Sequence, residues 1–200
     1  MEQNFEIEFK NLLMKEEYLE ILAKEFPDTC NKENKQAIYQ SNYYFDTKNQ
    51  DLKKQHSALR IRVTGSYNEM TLKVPHEGFL MENNLHLSDN DTSEIINNQQ
   101  IVLSTFTSLY SDFPFPKNIT NDSILHLFNS FQTKRFEKNV KNHLIVLDQT
   151  TFQNGMTDYE LEVESTNETE GKQFFDSILR DYAISTRESS PKIRRAEENK

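Results

Sequence analysis

Glu6-Ile7-Glu8-Phe9-Lys10 alternates a charged with an apolar side chain at every step, and the fold follows from what that alternation implies. Successive side chains of a β-strand point to opposite faces, so Glu6, Glu8 and Lys10 share one face while Phe5, Ile7 and Phe9 share the other. One such strand alone would read as a solvated surface. The pattern recurs, however. Leu59-Arg60-Ile61-Arg62-Val63 sets two arginines against three aliphatic side chains, and Met70-Thr71-Leu72-Lys73-Val74 presents a lysine in the same way. Tyr159-Glu160-Leu161-Glu162-Val163-Glu164 presents three carboxylates. Acids on one strand and bases on another are charges sorted to meet something. An antiparallel β-barrel arranges this economically, because its inner faces look at one another and helices can pack on its outside. Charges in such a lumen must be compensated by each other, by a metal or by a ligand.

Composition sets the outer limits. A chain of 200 residues is expected to form a single domain over 1–200, with 14 Phe and 8 Tyr supplying much of its core. Its mean hydropathy of −0.80 is low, as an enclosed polar cavity would make it. With only 4 Gly and 5 Pro it is not a low-complexity chain, and it holds no glycine-rich phosphate loop. The net charge of −9 argues against broad affinity for nucleic acid or for an anionic membrane, so the basic residues are expected to act as a local cluster. Cys30 is the single cysteine, which excludes a disulfide framework and a thiolate zinc site. His56, His76, His86, His126 and His143 have no metal-ligand spacing. The N-terminus lacks the apolar core of a signal peptide and no run reaches the length of a membrane span, so a cytoplasmic protein is expected.

The remaining pattern predicts the elements in order. Asn11 is expected to cap a helix ending near Phe26, before Pro27 and a polar loop from Asp28 to Gln36. A strand follows from Ala37 to Asp46, where Asp46 reads as a turn former. Further strands are expected at 57–64, 69–74 and 79–88, a helix over 89–112 and a short helix over 122–130. Strands resume at 131–140, 142–148 and 157–165, with Asn154-Gly155 as a turn. A helix over 170–182 and a short basic stretch at 190–195 complete the chain. Strands in two runs with helices between them predict an α+β fold.

Sorted by face, the candidate inward acids are Glu6, Glu8, Glu82, Asp148, Glu160, Glu162 and Glu164, and the candidate inward bases are Lys10, Arg60, Arg62, Lys73, Arg135, Lys192 and Arg195. Carboxylate clusters favour hard divalent cations such as Mg²⁺ or Mn²⁺. Clustered Arg and Lys suit a polyphosphate, Arg through forked hydrogen bonds and Lys as a point charge. An acidic arc beside a basic arc is a natural cradle for a metal–polyphosphate complex.

These residues resemble a known family. Glu6-x-Glu8-x-Lys10, Leu59-Arg60-Ile61-Arg62, Thr71-Leu72-Lys73, Asp148, Glu160-x-Glu162-x-Glu164 and Ser190-Pro191-Lys192-Ile193-Arg194-Arg195 are similar, in order and over nearly the whole chain, to the motifs of the CYTH superfamily of triphosphate tunnel metalloenzymes. Its stand-alone bacterial branch is the nearest in kind. The resemblance implies an eight-stranded antiparallel β-barrel, a tunnel binding a triphosphate moiety with Mg²⁺ or Mn²⁺. It implies metal ligation by Glu6, Glu8, Glu160 and Glu162, with Glu82 and Asp148 sharing the metal or orienting water. It implies phosphate binding by Lys10, Arg60, Arg62, Lys73, Arg135, Lys192 and Arg195, and a catalytic group of Glu6, Glu8, Lys10 and Asp148. Glu164 would lie at the rim. Two departures stand out: Pro191 separates Ser190 from Lys192, and Met81 and Asn83 flank Glu82 where many members carry an arginine.

The expected activity is metal-dependent hydrolysis of a short polyphosphate, inorganic triphosphate foremost, by a monomer or homodimer. Cyclisation of ATP, hydrolysis of thiamine triphosphate or a nucleotide, and binding of polyphosphate without turnover are the alternatives. A barrel whose charges form structural ion pairs only is the reading without function.

Overall fold

The computed structural model describes residues 2–27, 37–77 and 79–200, and for residues 2–6 and 79 the backbone alone. The expected polar loop with Cys30, and the side chain of Glu6, lie outside the described residues. The strands are β1 (Glu2–Glu6), β2 (Glu8–Leu13), β3 (Ile38–Asp46), β4 (Ala58–Val63), β5 (Asn68–His76), β6 (Phe79–Leu87), β7 (Gln100–Val102), β8 (Ile124–Val140), β9 (His143–Thr151) and β10 (Thr157–Ser165). The helices are α1 (Lys15–Glu25), α2 (Asp89–Asn98), α3 (Leu103–Leu109), α4 (Glu168–Asp181) and α5 (Lys192–Glu198). Only Ile7 parts β1 from β2. Taken as one strand, and with the three-residue β7 set aside, they leave eight strands among the described residues, paired antiparallel. This is the expected α+β fold.

The chain forms two compact units, Met1–Glu6 with Ser41–Ser130 and Ile7–Gln40 with Phe131–Lys200. In the first, β1, β6, β5, β4 and β3 pair in that order. The alternation in the sequence is realised here as a two-faced sheet. Leu59, Ile61, Met70 and Leu72 are fully buried in a core shared with Phe45, Ile101, Leu103 and Leu125, while Arg60, Arg62 and Lys73 take the intervening positions. Asp46 closes the turn after β3. Its carboxylate accepts from the backbone N–H groups of Thr47 (2.7 Å), Leu52 (2.9 Å) and Lys53 (3.0 Å). Each such charge-assisted bond contributes on the order of 1.5–3 kcal/mol. Asp46→Ala is therefore expected to lower the melting temperature by several degrees, and a thermal melt indistinguishable from wild type would contradict this role.

Two expected helices are corrected in this unit. The stretch 89–112 is not one helix: Gln99, in the left-handed region at φ 53°, ends α2, and Gln100–Val102 then pair with β8 before α3 begins. The stretch 122–130 is not a helix either, because Ile124 opens the 17-residue strand β8. Leu125 is buried and Ile124 exposed, but Ile124-Leu125-His126-Leu127-Phe128 is too short and too apolar a run to tell a strand from a helix in sequence.

In the second unit β8, β9, β10 and β2 pair in that order. Phe136, Ile145, Leu147, Leu161 and Val163 project to one face and are covered by Tyr18 and Ile21 of α1 and by Phe175, Ile178 and Leu179 of α4. Gly171 permits this approach of α4, since a Cβ there would stand 2.6 Å from Cβ of Ser165 and 2.9 Å from the Phe9 ring. Asn11 is not a helix cap. It lies fully buried in β2, where its side-chain amide donates to the carbonyl of Ser185 (3.2 Å) and its oxygen accepts from the N–H of Arg187 (2.6 Å). The helix starts three residues later, after Met14, whose N–H donates to the Glu17 carboxylate at 2.7 Å.

Candidate active site

The register of the second unit builds a charged face. Arg135 of β8 stands opposite Asp148 of β9, and Asp148 stands opposite Glu160 of β10. Glu162 follows two residues on, so it projects to the same side. Because their neighbours Phe136, Leu147, Leu161 and Val163 fill the apolar core, these four charged side chains must share the other face. Helix α5 adds Lys192 and Arg195, three residues apart and hence adjacent on its surface.

Burial here is nearly complete: Asp148 is 0%, Glu160 1% and Glu162 4% exposed. Charges so placed are tolerable only when paired and hydrogen-bonded, and each one is. Arg135 forks onto Asp148, Nε to Oδ1 at 2.9 Å and Nη2 to Oδ2 at 2.7 Å, and reaches Oε2 of Glu162 at 3.0 Å. Lys192 Nζ lies 3.1 Å from Oδ2 of Asp148 and donates to both Glu160 and Glu162. Arg195 donates to the two oxygens of Glu160 at 3.1 and 3.2 Å, to Asp158 at 2.7 Å, to the Ser189 hydroxyl at 2.8 Å and to the Ser190 carbonyl. The Ser189 hydroxyl in turn donates to Glu160.

The charge states follow from these contacts. Burial alone would raise the pKa of Glu162, but Lys192 and Arg135 outweigh it and hold the carboxyl well below the usual range. Burial would lower that of Lys192, yet Glu162, Asp148 and Glu160 raise it instead. Glu164 differs. Burial raises its pKa, Arg135 opposes this, and the nearby Glu162, Glu8 and Glu137 add to the rise. The register accounts for the contribution of Glu8, which stands directly opposite Glu164 and whose own carboxylate pairs with Lys10.

Asp148, Glu160 and Glu162 each offer an oxygen within 4.8 Å of the others. An all-oxygen, anionic donor set of this kind fits a hard divalent cation. The residues present thus suit the metal that the motifs implied.

The first unit holds a separate charged group. Lys73 and Glu82 face each other across β5 and β6 and pair at 2.6 Å. Burial would raise the pKa of Glu82, but Lys73 and Arg60 bring it below its ordinary value. Arg60 donates from Nη2 to the Thr71 hydroxyl at 3.2 Å, while its buried Nε has no hydrogen-bond partner among the described residues. Arg62 donates from Nε to Asn42 at 3.2 Å. A guanidinium with an unmet buried donor suits an anionic oxygen.

Of the expected residues, Arg135, Asp148, Glu160, Glu162, Lys192 and Arg195 thus form one network, Glu8 and Lys10 a pair, and Arg60, Lys73 and Glu82 another group. Two participants were missed. Asp158 continues the alternation of β10 by one step towards its start, a signal that was present. Ser189, rather than the Ser190 of the motif, reaches Glu160, and nothing in the sequence distinguishes the two. His86 is exposed and meets the Tyr67 ring edge-on at 6.2 Å, while His143 stacks on Phe174 at 4.5 Å and shares a hydrogen bond with the Ser165 hydroxyl at 3.1 Å.

Comparison with known proteins agrees with the resemblance. The model of the CYTH domain matches residues 4–196. Bacillus subtilis (strain 168) YjbK, which bears the provisional name of a triphosphatase, is 35% identical over 206 residues, covering 100% of this chain and 98% of that protein. The crystal structure of bh2851 from Bacillus halodurans, provisionally named an adenylate cyclase, matches with a TM-score of 0.79 and 28% identity over 98% of each chain. HpAC1 from Hippeastrum, a provisionally named adenylyl cyclase with a dominant triphosphatase activity, matches with a TM-score of 0.71 at 20% identity, over 98% of this chain and 96% of its own. At that identity it speaks for the fold alone. With its motifs in order and the family model matched from residue 4 to residue 196, the chain belongs to the CYTH domain family.

Proposed function

We propose that this protein hydrolyses a short polyphosphate, inorganic triphosphate foremost, with Mg²⁺ or Mn²⁺. The observation that carries the proposal is the convergence of Asp148, Glu160 and Glu162 on one another beneath Arg135 and Lys192. The 35% identity to a protein named as a triphosphatase supports the reaction type. In this reading Asp148, Glu160 and Glu162 hold the metal. Glu6, Glu8 and Glu82 are assigned as further ligands, and Glu6, Glu8, Lys10 and Asp148 as catalytic, on the family motifs alone. The metal would supply positive charge against the phosphate oxygens as negative charge builds on them.

The chain's own residues do the rest. Arg135 fixes the orientation of the Asp148 and Glu162 carboxylates through its fork. Arg195, with its donors committed to Asp158, Glu160, Ser189 and Ser190, holds Glu160 in place, which refines the phosphate-binding role expected for it. On the family motifs, phosphate binding is assigned to Lys10, Arg60, Arg62, Lys73, Arg135 and Lys192, cationic groups of the kind that hold a polyphosphate for in-line attack. Water adds to a terminal phosphorus, the bond to the bridging oxygen breaks, and phosphate, diphosphate and a proton leave.

A substrate panel tests this: inorganic triphosphate, ATP and thiamine triphosphate, each with Mg²⁺, Mn²⁺ or EDTA. The expected result is phosphate release fastest from inorganic triphosphate and none in EDTA. Cyclic AMP as the main product from ATP, or tight triphosphate binding without release, would overturn it. A cytoplasmic site of action belongs to the same proposal; among the described residues no helix is long and apolar enough to cross a membrane.

A further inference from the structure

The three carboxylates assigned to the metal already enclose a cation. Lys192 Nζ lies 3.1 Å from Asp148 and bonds to Glu160 and Glu162. Oxygens within 4.8 Å of one another surround a single position, and a divalent ion bound at the 2.0–2.6 Å usual for Mg²⁺ or Ca²⁺ would fall against that ammonium. Two positive charges that close, with nothing between them, repel strongly. One must leave.

We propose that Lys192 is the exchangeable counter-cation of this carboxylate group, neutralising it when no divalent ion is bound and released towards phosphate when one is. The proposal rests on the metal assignment made above. Three features single out Lys192 rather than its neighbours. Its ion partners among the described residues are these same three carboxylates, whereas Arg195 is also anchored by Asp158, Ser189 and the Ser190 carbonyl. It is the first residue of α5, directly after Pro191, so its stem can swing without unwinding a helical turn. Its side chain is 15% exposed, against 0%, 1% and 5% for the carboxylates beneath it, so it has a way out. A lysine is suited to such exchange, being a point charge on a flexible four-carbon stem where arginine is a planar fork.

Exchange couples the two ligands. Expelling Lys192 opposes metal binding, but the freed ammonium then favours a phosphate chain, so metal and triphosphate each raise the other's affinity by the same factor. It also gives Lys192 and Arg195 opposite effects on the metal, although both sit on one helix and touch one carboxylate. A residue that positions a ligand weakens metal binding when removed; a resident counter-cation strengthens it.

Titration of the full chain with Mn²⁺ alone, followed by the electron paramagnetic resonance signal of the free ion, measures this directly. Lys192→Met is expected to bind Mn²⁺ about tenfold more tightly than wild type, within the span usual for coupled sites, and Arg195→Lys more weakly. Equal or weaker binding by Lys192→Met would overturn the exchange while leaving the metal assignment standing. Absence of Mn²⁺ binding in wild type and variant alike would overturn both. The native protein supplies a second test that does not depend on the variant folding. Modification of Lys192 by an amine-reactive reagent, read by mass spectrometry, should be slow without metal and several-fold faster with saturating Mg²⁺. A rate unchanged by Mg²⁺ would contradict the release of Lys192.

Discussion

Glu162→Gln is expected to lower phosphate release from inorganic triphosphate by about a hundred- to a thousandfold, the effect typical of removing one group that stabilises transition-state charge. The residue is 4% exposed and its carboxylate lies between Lys192 and Arg135, so glutamine keeps the shape and removes only the charge. Arg135 and Lys192 retain Asp148 as a partner, so the fold survives the substitution. The measurement is steady-state phosphate release with saturating Mg²⁺, together with a thermal melt to show that the variant is folded. Turnover within threefold of wild type in a folded variant would remove Glu162 from the site.

Arg135→Met is expected to destabilise the second unit strongly. It strips the fork from Asp148, which is 0% exposed, and leaves that carboxylate with Lys192 as its remaining ion partner. Removing one member of a buried ion pair costs about 3–5 kcal/mol, because the other charge stays buried. For a chain of this size that corresponds to a melting temperature lower by roughly 10 °C. The same variant carries a pH signature. In the folded protein Glu162 has its pKa depressed below the ordinary 4.5 by Lys192 and Arg135 against the opposing effect of burial. Its contribution is therefore fully present above the unfolded value and is lost as pH falls through the folded one. The gap in melting temperature between wild type and Arg135→Met should be constant from pH 7 to about pH 5 and narrow below about pH 4. A gap that is absent at pH 7, or that widens in acid, would contradict the pairing.

The strands at 58–63, 68–76 and 157–165 were legible because each turns one face into an apolar core and sets charged or polar side chains on the other, which imprints period-two alternation on the sequence. The family was legible in part for the same reason, since Arg60, Arg62, Lys73, Glu160, Glu162 and Glu164 of its motifs are charged positions of those strands. Asn11 was not legible. A short polar side chain before an amphipathic run reads as a helix cap, but its partners Ser185 and Arg187 lie more than 170 residues away. Local pattern carries no information about such a partner. Residues 122–130 failed differently, because a short apolar run satisfies a buried strand and a helix alike. At the site, the residue types could be listed from sequence, but not which of them would pair. That depends on the register of β8, β9 and β10, which sets Arg135, Asp148 and Glu160 side by side, and on α5, which brings Lys192 to them. Glu164 shares the face of Glu162 in sequence, and only the register shows that it stands opposite Glu8.

The most direct test is the anomalous scattering of Mn²⁺ in crystals of the protein grown with inorganic triphosphate at a pH where turnover is slow. A peak coordinated by Asp148, Glu160 and Glu162, with phosphate oxygens completing its shell, is the result predicted. Peaks confined to exposed surface carboxylates, with Lys192 still seated among the three, would contradict it.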